Sequence, residues 1–272
     1  MRISIIQMNS QNDKSANIAE AIRLIKESAA SAPDLIALPE YFAFLGYGPE
    51  DMQASAEELP TAGEVGGEAH ATLSTLAKEL GVTIHAGSIC EKHGNRFYNT
   101  TIVFDPEGTD IARYRKIHLF DVDVPGGASY RESDSVARGD QLVTYKAGAA
   151  TVGCGICYDL RFPELFRGLR DRGANVIVLP AAFTLMTGKD HWEILLRARA
   201  IETQCYIVAP AQIFEHGSGK ACFGHSMIID PWGQVIAMVP DQVGVATATI
   251  DLDRLEQIRV KLPVARHHVL TH

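Results

Sequence analysis

Runs of consecutive apolar residues alternate along the chain with segments in which apolar residues recur every three to four positions. The first run, residues 3–8, precedes residues 15–30, where Ile18, Ile22, Ile25 and Ala29 share one helical face and Glu20, Arg23, Lys26 and Glu27 the other. That spacing predicts an amphipathic helix. Asp34-Leu35-Ile36-Ala37-Leu38 then forms a short run stopped by Pro39, the pattern of a strand buried on both faces, and it leaves Glu40 at a strand's C-terminal end. The same succession returns as a predicted helix over 163–172, Gly173, and the run Asn175-Val176-Ile177-Val178-Leu179 stopped by Pro180. DLIALPE and NVIVLPA read as two copies of one helix–loop–strand–proline unit, which hints at internal pseudo-symmetry.

Further strands are predicted over 82–89, 99–104, 111–114 and 151–157. A helix around 191–204 follows, then strands over 206–210, 227–229, 235–238 and 244–250. No linker-like or low-complexity stretch interrupts the pattern, so residues 1–272 are expected to form one domain. Continuous apolar strands need cover on both faces, and about four helices are there to supply it, which points to a layered α/β or α+β sandwich. Residues 121–141 carry weak periodicity and much Gly, Ser and charge; a loop of that length is often functional.

Composition narrows the function. Acidic residues outnumber basic ones by 33 to 25, for a formal net charge of -8, and no Lys/Arg cluster appears. That balance argues against a nucleic-acid or anionic-membrane partner, because phosphate binding needs a basic stripe. No apolar stretch approaches the ~20 residues that span a bilayer, and the first residues run into a strand pattern without a signal-type segment, so a cytoplasmic protein with a small-molecule substrate is expected. The five cysteines, Cys90, Cys154, Cys157, Cys205 and Cys222, are expected to stay thiols there.

Cys154-Gly155-Ile156-Cys157 is a CxxC, yet no second ligand pair exists for zinc, and Cys154 falls inside a strand rather than at a helix N-terminus as a redox pair requires. Cys157 differs from Cys154. It lies at the strand's exit, and Pro163 suits the first turn of the helix that follows, so backbone N–H groups can point at its sulfur. A nucleophilic thiol also needs a base. A papain-like or glutaminase-type arrangement would draw it from His191, His225 or His267, although Asp159 stands where a hydrolase elbow has its second Gly.

Three blocks change this picture: Leu38-Pro39-Glu40, then Tyr114-Arg115-Lys116-Ile117-His118-Leu119, then Gly155-Ile156-Cys157-Tyr158-Asp159-Leu160-Arg161-Phe162-Pro163-Glu164. In that order they resemble the signatures of the nitrilase, or carbon–nitrogen hydrolase, superfamily. His191-Trp192-Glu193, Arg197-Ala198-Arg199-Ala200-Ile201-Glu202, Gly224-His225-Ser226 and Asp230-Pro231-Trp232-Gly233 extend the resemblance over almost the whole chain. RARAIETQCY, GHSM and DPWG are most similar to the branch that hydrolyses deaminated glutathione, with the ω-amidase branch second.

The resemblance implies a four-layer αββα sandwich, a Glu40–Lys116–Cys157 catalytic set with Glu132 as an accessory carboxylate, and no cofactor or metal. It also implies a homodimer or larger homo-oligomer. On this reading Glu40 takes the thiol proton, Lys116 and the Tyr158 N–H face the oxyanion, and a small linear α-keto amide is cleaved to a carboxylate and ammonia through a thioester on Cys157. Tyr41, Phe183 and Thr187 are expected to touch substrate. Arg161 is expected either to bind a substrate carboxylate or to pair with Glu164 or Asp159. Leu185-Met186 and Lys189-Asp190 depart from the best-matching branch, as does Ala265-Arg266-His267-His268 after Leu262-Pro263-Val264.

Overall fold

In the computed structural model, which describes residues 1–61, 66–123, 129–217 and 220–270, the Asp13 carboxylate accepts from the Ala16 N–H at 3.0 Å and so caps the helix Lys14–Ala29. This helix buries Ile18, Ala21, Leu24 and Ile25 on one face, each large side chain worth roughly 1.5–3 kcal/mol of transfer free energy. Its target is a sheet ordered Gly244–Thr249, Arg2–Gln7, Leu35–Ala37, Thr83–His85, Arg96–Phe104, Ile89–His93, Glu57–Glu58, with Asp110–Arg115 also paired to Arg96–Phe104. A second sheet runs Thr144–Ala147, Ala150–Cys154, Val176–Val178, Tyr206–Ala209, Met227–Ile229, Val235–Met238.

Strand alternation decides which side each residue serves. Ile3, Ile5, Leu35 and Ala37 join Val152, Val176 and Val178 in the core shared by the two sheets. Ile6, Ile36 and Leu38 face the other way and pack with Leu24, Ile25, Leu73 and Leu76 of the helices Lys14–Ala29 and Glu68–Leu80. Helices Pro163–Asp171 and Leu185–Thr203 cover the second sheet through Leu165, Phe166, Leu169, Trp192, Leu196 and Ala200. This is the αββα sandwich expected from the sequence.

The two proline-terminated runs occupy matching places. Leu35–Ala37 lies between two parallel partners, with Ile36 level with Ser4 and Ile84. Val176–Val178 does the same, with Ile177 level with Gly153 and Ile207. Both strands therefore end near the middle of their sheets, which delivers Glu40 and the Pro180–Ala182 backbone to one end of the sandwich.

Several boundaries differ from the predicted ones. The run 82–89 splits into Thr83–His85 and Ile89–His93. Gly87 makes the break: its φ is +56°, and a Cβ there would meet the Pro39 carbonyl oxygen at 1.9 Å. The strand predicted to reach Cys157 stops at Cys154, and a 3₁₀ turn spans Cys157–Arg161. The helix predicted from 191 begins six residues earlier, at Leu185, so Thr187 sits in its first turn and His191 does not start it. Within 121–141, Asp121–Asp123 pairs with Ser129–Arg131, and Glu132–Asp134 forms a short turn; residues 124–128 of this stretch lie outside the described residues. The helices Pro49–Ala54, Glu68–Leu80, Leu252–Lys261 and Val264–His267 fall outside the predicted elements, although in Glu68–Leu80 the residues Ala69, Leu73, Leu76 and Ala77 recur at helical spacing.

Candidate active site

Three strand ends meet where the sheets face each other. Glu40 follows the Leu35–Ala37 strand, Lys116 follows Asp110–Arg115, and Cys157 opens the turn after Ala150–Cys154. Glu40 and Lys116 are each 2% exposed and Cys157 8%. The Lys116 ammonium donates to Glu40 Oε1 at 3.0 Å and to both oxygens of Glu132, at 3.0 and 2.8 Å. Asn99 adds to the bridge, its Nδ2 donating to Glu40 Oε1 at 2.8 Å and to Glu132 Oε1 at 3.2 Å. The Ala182 N–H holds Glu40 Oε2 at 2.7 Å, and the Phe120 N–H holds Glu132 Oε2 at the same distance.

Electrostatics sort the protons. Burial is the largest influence on Lys116 and disfavours its charge, yet Glu132 and Glu40 outweigh it and hold the ammonium well above the ordinary lysine range. Burial pushes the Cys157 thiol well up and the Glu40 carboxylate adds to this, while Lys116 pulls the other way. The resting cysteine is therefore a neutral thiol beside a carboxylate, a pair that can pass one proton between them.

The cysteine sits on an unusual backbone. Its φ is +47°, rare for a residue with a side chain. Its own N–H donates to the Pro180 carbonyl at 2.9 Å, while the Tyr158 N–H has no acceptor among the described residues. Asp159 holds the turn: its Oδ2 accepts from the Ile156 N–H at 2.8 Å and the Tyr114 hydroxyl at 2.6 Å. Its Oδ1 accepts from the His118 N–H at 3.1 Å and lies 2.7 Å from His118 Nδ1.

Cys157 opens onto a cleft of about 350 Å³ lined also by Glu40, Tyr41, Lys116, Glu132, Tyr158, Phe183 and Thr187, within the usual size range of a small-molecule site. Tyr41, at φ +54°, donates its N–H to Ser88 Oγ at 3.0 Å and its hydroxyl to Glu132 Oε1 at 3.4 Å. Of the residues expected to form the catalytic set or to touch substrate, only Arg161 is absent from the lining. It pairs with neither Asp159, whose oxygens are taken, nor Glu164; its guanidinium lies 3.2 Å from His191 Nδ1 and 5.5 Å from the Phe183 ring centre. His191, His225 and His267 do not line the cleft, and His225 is engaged by Asp241 at 2.9 Å. Asn99 and the Ala182 N–H are contributors with no motif of their own.

Known proteins resemble this chain over nearly its whole length. A sequence profile of the carbon–nitrogen hydrolase family matches residues 2–260. The chain is 43% identical to a protein of Synechocystis named deaminated glutathione amidase, over 97% of this chain and 96% of that one. It is 38% identical to human omega-amidase NIT2, over 97% and 94%. Among solved structures, the NitFhit protein of C. elegans superimposes with a TM-score of 0.89 at 35% identity, covering 98% of this chain, which spans 64% of that longer protein. Nit3 of Saccharomyces cerevisiae, of the nitrilase superfamily, gives 0.87 at 29% identity over 97% and 94%. The chain belongs to the carbon–nitrogen hydrolase family.

Proposed function

We propose that this protein is a thiol amidase that cleaves small linear α-keto amides, with deaminated glutathione as the first substrate and the ω-amide α-ketoglutaramate as the second. The observation that carries the reading is the buried Lys116 ammonium shared by Glu40 and Glu132 in the cleft onto which Cys157 opens. Glu40 takes the Cys157 proton as the sulfur attacks the amide carbon. The oxyanion that forms is faced by the Lys116 ammonium and the Tyr158 N–H. Glu40 returns the proton to the departing nitrogen, leaving a thioester, and then takes a proton from the water that hydrolyses it. Glu132 and Asn99 keep Lys116 charged and Glu40 in place. Tyr41, Phe183 and Thr187 hold the acyl chain.

The two substrates differ in the leaving group. α-Ketoglutaramate releases ammonia, whereas the scissile amide of deaminated glutathione carries cysteinylglycine, so the ammonia expected above narrows to the ω-amide. Both leave the same acyl product, α-ketoglutarate, which makes its formation the common assay. Wild-type protein is expected to form it from both, with the larger kcat/KM on deaminated glutathione. Cys157→Ala should lower either rate by more than about a thousandfold. No product from either amide, or equal rates with Cys157→Ala, would sink the proposal.

We further propose one domain over residues 1–272, supported by a catalytic set drawn from both sheets, and a homodimer. Ile194 and Ile201 of the helix Leu185–Thr203 are 69% and 50% exposed, and Trp232 is 56% exposed. Ile201 lies against Gly233, so helix and turn form one apolar patch. Light scattering is expected to give twice the chain mass, and Ile194→Glu/Ile201→Glu a monomer; a monomeric wild type would overturn this. The five cysteines are all unpaired, which supports a reducing compartment such as the cytoplasm. No helix among the described residues is long and apolar enough to cross a membrane.

A further inference from the structure

The cleft is lined by three cations among the described residues: Lys116, Arg131 and Lys220. Two are already committed. Lys116 serves Glu40 and Glu132, and Arg131 holds both oxygens of Asp123, at 3.0 and 3.1 Å, and the Tyr130 carbonyl at 2.8 Å. Lys220 has no carboxylate partner among the described residues. Its ammonium lies 5.4 Å from the centre of the Tyr130 ring, on the opposite hairpin of the cleft.

The position of Lys220 is built rather than incidental. The His216 N–H donates to the Lys220 carbonyl and the Lys220 N–H to the Gly217 carbonyl, each at 3.0 Å, which ties Lys220, just before the strand Ala221–Phe223, to the residues that follow its antiparallel partner Ile213–Glu215. At Gly217 φ is +92°, and a Cβ would strike Tyr47 at 1.8 Å, so Gly217 is seated against another wall of the cleft. His216 also lines the cleft and is 8% exposed, with a buried Nδ1 that has no hydrogen-bond partner among the described residues. Burial, and then the neighbouring Lys220 charge, push His216 down to about 4, so it is neutral at pH 7 and leaves the positive charge to the lysine.

We infer that Lys220, with uncharged His216 beside it, recognises the carboxylate at the end of the substrate remote from the scissile amide. This rests on the amidase reading and adds to it a specificity-determining residue. An ammonium with no carboxylate partner among the described residues, lining the same cleft as the thiol and the carboxylate that do the chemistry, gives the cleft a polarity that an anionic linear amide matches and a neutral one does not. Arg161, the cation expected from the sequence to fill this role, is turned to His191 and Phe183 outside the lining.

The test compares α-ketoglutaramate with its methyl ester on wild type, Lys220→Met, Lys220→Arg and Arg161→Met. Lys220→Met is expected to raise KM for the acid about tenfold or more, with kcat within twofold, and to leave the ester unchanged. Lys220→Arg should restore most of the loss, and Arg161→Met should have the smaller effect on the acid. Equal loss on acid and ester, no loss on the acid, or a larger KM effect from Arg161→Met overturns the assignment. Calorimetric titration of glutarate, which requires no turnover, keeps the two proposals separate: a dissociation constant at least tenfold weaker in Lys220→Met supports the assignment even if neither amide is hydrolysed, and an unchanged constant defeats it even if both are.

Discussion

Lys116→Met is expected to lower kcat/KM on either amide by at least about a thousandfold and to destabilise the fold by about 3–5 kcal/mol. The catalytic loss follows from removing the charge that faces the oxyanion. The stability loss has a separate source: Glu40 and Glu132 share the same ammonium at 2.8–3.0 Å in a site almost closed to water. Without it, two buried carboxylates joined only through Asn99 repel each other, and one must take up a proton. The pH dependence separates this from loss of packing. In the wild type the folded-state pKa of Lys116 is raised, so its contribution is complete below the ordinary lysine value and is lost only as pH rises through the higher folded one. Stability through this group is therefore flat at neutral pH. In the variant a carboxylate has the raised folded value, so its stability is present below the ordinary carboxylate pKa and declines as pH rises through the folded one. Denaturant midpoints should show a deficit that is smaller at pH 5 than at pH 8. A deficit equal at both would mean that Lys116 matters there only as packed volume.

What the sequence makes legible here is whatever is written locally. Leu35–Ala37 and Val176–Val178 can be read because an uninterrupted apolar run ending in proline has few other uses. Glu40, Lys116 and Cys157 can be read because each sits in a contiguous block at a strand end. Asn99 cannot, since it reaches the site through sheet register: the Lys116 N–H donates to its carbonyl at 2.9 Å, one step beyond the Thr100–Arg115 pair. Lys220 is hidden for a related reason, being carried to the cleft by a hairpin whose apolar pattern is too short to mark it.

The early start of the Leu185–Thr203 helix has a different cause. Its first turn contains Gly188, which lowers helix propensity by about 1 kcal/mol relative to Ala. The glycine is there because Phe223 packs against it, at 2.3 Å from where a Cβ would stand. Tertiary contact overrides local preference at that point. The same holds for Asp159, which by position alone only spoils a hydrolase elbow and in the folded chain is the residue that fixes the turn.

Asp159→Asn is expected to lower kcat about a hundredfold with KM within threefold, while the protein remains folded. Asp159 is wholly buried and faces four donor groups from Ile156, Tyr114 and His118. Asparagine keeps the shape but offers one acceptor oxygen, so its NH₂ must confront two groups that were donating. The strain it restrains is specific: Cys157 at φ +47° occupies a backbone region that costs roughly 1–3 kcal/mol and persists only where the surroundings enforce it. His118, stacked on Phe162 at 3.6 Å, stands two residues after Lys116. Asp159 thus ties the strand end that carries the ammonium to the turn that carries the thiol, and relaxing the tie moves the sulfur and the Tyr158 N–H relative to Lys116. A displacement near 1 Å is enough for the expected loss. Since Asp159 acts through Cys157, the rate at which iodoacetamide alkylates Cys157, followed against pH, should change in the variant along with kcat. An unchanged alkylation profile with a lowered melting temperature would leave Asp159 a structural residue and refute the positioning role.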